Sequence, residues 1–186
     1  MAVHLTHHQF TRTEYHHMAE TGIIKPDARV ELIEGEILAM SPIGRRHNAD
    51  VDRLAAVFFE QLRGRATVRV QGSIVLSDGN EPEPDLALLR PREDFYAGAD
   101  ATPDTILLLV EVADTSESYD RLTKTPLYAR HGIPELWLVD INRDRVTISR
   151  DPSGTGFQTV RIARRGEAIS PLSFPDLTIA VEQILG

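Results

Sequence analysis

The chain has 186 residues, 41% of them hydrophobic and 26% charged, and 28 acidic against 20 basic side chains give a formal net charge of −8. That length suits one domain over 1–186 with a real core; no apolar run approaches the roughly 20 residues of a membrane span, and the opening MAVHLTHHQF lacks the basic start and apolar block of a signal peptide. Zero cysteines exclude disulfides, thiolate metal sites and cysteine nucleophiles and fit a cytoplasmic protein, while the acidic balance excludes a general nucleic-acid coat but not a local basic footprint.

In chain order, TRTEYHHMAE (11–20) is expected to be helical, N-capped by Thr11 or Thr13 and ended by Gly22 and Pro26. RVELIEGEILAMSP reads as two short strands turning near Glu34 and Gly35. From His47, Val51, Leu54, Ala55, Phe58 and Leu62 recur at helical spacing until Gly64. Three strands follow: ATVRVQGSIVL, PDLALLR and TILLLVEVA. The last is apolar on both faces and so belongs in the middle of its sheet. A helix over about 120–131 stops at Gly132; then come the strand PELWLVDI, two more strands, RVTISRD and FQTVRIA, and a short C-terminal helix. The core order is helix, three strands, helix, strand, an α/β arrangement with a mixed sheet, preceded by a helix and a strand hairpin.

If PDLALLR and TILLLVEVA pair antiparallel, Asp85 at the start of one lies beside Glu111 near the end of the other. Two ionised carboxylates near a core cost several kcal/mol unless compensated, and a shared cation resolves that. Oxygen ligands without cysteine point to Mg²⁺ or Mn²⁺, with the Val112 backbone carbonyl in reach of the same ion. Lys124, in the first turns of the next helix, can lean back over the strand end because residue 113 is a small alanine. Each residue has a plainer alternative: Asp85 capping a turn after Pro84, Glu111 pairing with a surface arginine, Asp120 and Lys124 forming an i, i+4 pair on a solvated helix. The convergence of all three at adjacent strand ends favours the functional alternative.

EPEPDLALLR, LLLVEVADTS, YDRLTKTPLYARHGIPELWLVD and RVELIEGEILAMSPIGRRH together resemble the Uma family of restriction-endonuclease-like proteins, within the PD-(D/E)XK nuclease superfamily. The similarity runs over about residues 11–150. It implies a restriction-endonuclease-like fold and a Mg²⁺-dependent endonuclease, with Asp85 and Glu111 as the motif acids on the metal. The usual motif lysine, two residues after the glutamate, is replaced here by Ala113; in this family it moves to the following helix, which matches Lys124. Glu31 and Glu36 in VELIEGE are candidates for a further acid, Glu36 being preferred, with a charged strand edge as the alternative. His47 matches a histidine of the family and is expected near a phosphate or water, and Tyr128, one turn beyond Lys124, to pack or hydrogen-bond in support.

The expected partner is nucleic acid, with DNA as the substrate, held by a rim of Arg45, Arg46, His47 and Arg69. A homodimer is considered because cutting both strands of a duplex often uses two sites. His4, His8, His16 and His17 are weighed as a transition-metal cluster, but neighbouring histidines on a helix point to different sides and surface exposure is expected. Trp137 is assigned to the core. Neither a Gly-rich phosphate loop nor GxSxG is present, which disfavours P-loop and serine-esterase chemistry. The competing function is a catalytically silent nuclease-fold module that binds DNA or a protein partner.

Overall fold

The computed structural model describes residues 7–42, 44–114 and 119–186. The chain divides into two compact units, one from residues 1–40 and 73–83, the other from 41–72 and 84–186.

The first unit opens with helix α1, Arg12–Glu20. Its N-cap is Thr11: the Thr11 hydroxyl accepts from the Glu14 N–H and the Glu14 carboxylate accepts from the Thr11 N–H, so two orphan donors are satisfied reciprocally. Strands β1 (Val30–Ile33) and β2 (Glu36–Ala39) pair antiparallel, Ile33 opposite Glu36. Glu34 and Gly35 between them both have positive φ, 51° and 76°, the conformation a two-residue hairpin turn needs. Tyr15 donates its hydroxyl to the Val30 carbonyl at 3.0 Å and Arg12 reaches Glu81 at 2.7 Å, which ties α1 to the hairpin and to segment 73–83. The run 66–76 is therefore not one strand: β3 covers only Thr67–Val70. Gln71, at φ 45°, breaks the extended backbone, and Ile74 and Leu76 are buried within the first unit.

The second unit is a six-stranded sheet in the order β3-β4-β5-β6-β7-β8, with β4 Leu86–Leu89, β5 Ile106–Ala113, β6 Glu135–Asp140, β7 Arg145–Ser153 and β8 Gly156–Arg164. Pairing is parallel between β5 and β6 and antiparallel elsewhere, so the sheet is mixed, as expected. β5 is central, in keeping with its apolar character on both faces. Helix α2, Arg45–Leu62, begins two residues before His47, with Gly44 at its N-cap. Its row of Val51, Leu54, Ala55, Phe58 and Leu62 packs with Leu86, Leu88, Leu108, Val110 and Val112 on one sheet face. Trp137 is fully buried there, 6.1 Å from the Phe58 ring, so Phe58→Ala is expected to cost about 3–5 kcal/mol.

The expected helix over 120–131 is composite. Asp120–Lys124 is a π-turn, in which the Thr125 N–H donates to the Asp120 carbonyl, and Thr125–Arg130 continues as helix α3 with Pro126 in its first turn. Two short strands, β9 (Ala168–Ile169) and β10 (Ile179–Ala180), pair with each other before the closing helix α4, Val181–Leu185. No helix among the described residues is long and apolar enough to cross a membrane.

Candidate functional site

Leu86 on β4 stands opposite Val110 on β5, and one further step of that antiparallel register sets Asp85 opposite Glu111. The two acids are held differently. Asp85 accepts the Val112 backbone N–H at 2.8 Å, and His47 Nε2 lies 3.1 Å from each carboxylate oxygen. Glu111 accepts the Tyr128 hydroxyl at 2.6 Å on Oε1, and Lys124 Nζ lies 3.3 Å from the same oxygen. Asp120 and Lys124 are both buried, which removes the solvated-helix alternative for that pair.

Glu111 is 3% exposed. Burial drives its carboxyl well above the ordinary range; the Lys124 ammonium opposes this, the charges of Asp120 and Asp85 add to it, and the Tyr128 hydrogen bond opposes it weakly.

Among the described residues no group of three or more His, Asp or Glu side chains is gathered as a metal-ligand set. The donors at hand are two carboxylates and backbone carbonyls, all hard oxygens. That set fits Mg²⁺ or Mn²⁺, which take one or two carboxylates and leave their remaining positions to water and substrate phosphate. Val112 contributes its N–H to Asp85, an interaction the sequence did not signal, while its side chain is buried in the core.

The other candidate residues are distributed more widely. Glu36 belongs to the first unit and is exposed at the start of β2. Of the two upstream acids it is Glu31 that is buried, accepting the Glu83 N–H at 3.3 Å. Arg45 and Arg46 are exposed on the first turn of α2, with Arg46 also donating to the Ile141 carbonyl. Arg69 on β3 lies over the Tyr96 ring at 5.5 Å, and Arg92 lies 5.2 Å from the same ring. His47 is turned onto Asp85. Of the histidines weighed as a cluster, His4 lies outside the described residues, His8 pairs with Glu14 and His16 with Glu81, and all three described members, His8, His16 and His17, are exposed.

The family described as "Uma2: Putative restriction endonuclease" matches residues 12–182. Among solved structures, the chain is similar to one described as a putative nuclease belonging to DUF820, from Anabaena variabilis. That similarity has a TM-score of 0.73 at 20% identity and covers 95% of this chain and 97% of the other. The shared fold is thus a nuclease-like α/β fold. No functionally curated protein matches the chain.

Proposed function

The chain belongs to the Uma2 family of putative restriction endonucleases, and from that membership and the pairing of buried Glu111 with half-buried Asp85 we propose a metal-dependent endonuclease that hydrolyses phosphodiester bonds, with DNA as substrate. The observation that carries this proposal is the cluster itself: Lys124 Nζ at 3.3 Å from the buried Glu111, with Asp85 in register across the strand pair. Asp85 and Glu111, with the Val112 carbonyl, would hold Mg²⁺ or Mn²⁺. When bound, such an ion supplies Lewis-acid polarisation of the phosphodiester and offsets the charge of the acids.

The side chains do the rest. Asp85 is kept in place by a peptide N–H and a histidine, so its oxygens need little reorganisation to face a cation. Lys124, 4% exposed, presents its ammonium in a low-dielectric setting where it can orient an attacking water and balance charge developing on the phosphate. Arg45, Arg46 and Arg69 are assigned to the rim that offsets the net charge of −8 along a nucleic-acid backbone. The family match over both units supports treating 1–186 as one nuclease-like domain. A homodimer would bring two such sites to a duplex, and sedimentation with and without DNA tests it.

The decisive experiment is cleavage of plasmid, single-stranded DNA and RNA in Mg²⁺ or Mn²⁺ by the wild type, Asp85→Ala and Lys124→Ala. Cleavage by the wild type alone, of DNA in preference to RNA, supports the proposal. Absence of cleavage of any substrate, with DNA binding retained, would instead support the silent binding module. Glu36→Ala and Glu31→Ala in the same assay test whether either upstream acid affects cleavage at all.

A further inference from the structure

Asp85 and Glu111 are each reached by a helix-borne side chain, and the two helices pack on opposite faces of the sheet. α2 packs with Leu86, Leu88, Val110 and Val112, whereas Tyr128 on α3 meets Glu111, which alternates with those residues along β5 and so points the other way. We infer that His47 and Tyr128 are paired positioning residues that aim the two carboxylates at one cation, His47 through Asp85 and Tyr128 through Glu111. The inference rests on the metal-binding proposal above and gives it a supporting shell.

Free carboxylates rotate, and a cation gains most from oxygens already pointed at it. The Val112 N–H fixes one oxygen of Asp85; His47 Nε2, 3.1 Å from both, closes off rotation about the last side-chain bond. With its side chain only 12% exposed, His47 has Nε2 committed to the Asp85 carboxylate. Tyr128 is fully buried, so its hydroxyl must have a partner inside the protein, and Glu111 Oε1 at 2.6 Å is one. Lys124 and Tyr128 stand four residues apart on one helical run and meet the same oxygen. The Tyr128 hydrogen bond is the shorter of the two and sets the direction of Oε1, while Lys124 supplies charge.

The test is calorimetric titration of the full chain with Mn²⁺ alone, at one pH, alongside thermal melting. His47→Ala and Tyr128→Phe should each weaken Mn²⁺ affinity by about 10-fold or more, the range for loss of a supporting hydrogen bond at a metal ligand. His47→Gln, whose amide can donate to the same carboxylate, should recover most of the loss. In cleavage, both deficits should appear in kcat at limiting Mn²⁺, shrink as Mn²⁺ is raised, and leave KM for DNA unchanged. Wild-type affinity in a folded Tyr128→Phe together with a folded His47→Gln no tighter than His47→Ala would overturn the inference. A wild type that takes up no Mn²⁺, or an Asp85→Ala that still takes it up, overturns the metal-binding proposal itself and this inference with it.

Discussion

Glu111 and Glu135 lie on neighbouring parallel strands, both buried, and their surroundings differ in kind. Glu135 accepts from Trp137 Nε1 at 2.9 Å, from Arg150 Nε at 2.8 Å and from the Leu172 N–H at 2.6 Å, so both of its oxygens are met and its charge is balanced by a guanidinium. Glu111 has a hydroxyl and an ammonium, both at one oxygen, and its carboxyl is pushed well up by burial. An acid placed for stability is saturated by the fold. Under the proposed function, Glu111 is an acid placed to bind, and it carries a cost of desolvation that a bound ion would offset further.

Among changes to the two acids and their surroundings, Glu135→Ala should be the most damaging, costing about 3 kcal/mol because Trp137, Arg150 and the Leu172 N–H lose their shared acceptor, while leaving Mn²⁺ uptake intact in the folded fraction. Denaturant titration with parallel calorimetry measures both, and a metal affinity that falls with stability would erase the distinction. Lys124→Ala should lower the cleavage rate by about 10²–10³-fold, near the value for one lost charge-stabilising donor, with Mn²⁺ binding largely kept. An unchanged rate would leave the lysine as a structural counter-ion only. The double change Glu111→Gln with Lys124→Met should raise stability by about 1–2 kcal/mol and abolish metal uptake, since a buried ion pair is costly to assemble. A loss of stability there would mean that Glu111 resembles Glu135 after all. Reversing Arg45 and Arg46 to glutamate should have the smallest structural effect, with unchanged melting and DNA binding weakened several-fold and less dependent on salt. Equal binding by that variant would move the nucleic-acid face elsewhere.

Much of the scaffold was legible because periodicity reports burial. The row from Val51 to Leu62 marks one face of α2, and the unbroken apolar run of β5 marks a strand covered on both sides. The turn at Glu34 and Gly35 follows from local chemistry, and Asp85 and Glu111 were brought together by strand pairing alone. What escaped depends on contacts far apart in sequence or on backbone detail. His47 meets an acid 38 positions away, which no local pattern encodes. The π-turn at Asp120–Lys124 differs from an α-helix by one hydrogen-bond register, and residue propensities do not separate the two. The end of β3 at Val70 turns on a single positive φ at Gln71, a residue type with no strong preference for it.

A lysine two residues after the glutamate would share a rigid strand with it, so that neither could shift alone. Here Glu111 belongs to β5, Asp85 sits just before β4, and the ammonium belongs to a π-turn that runs into α3. Under the proposed function, grip and chemistry thereby become separable properties of one protein: a change confined to the π-turn would remove the ammonium while the two acids could still hold an ion. Such a chain would turn from a cutter into a clasp, closing on nucleic acid in a metal-dependent way without breaking it.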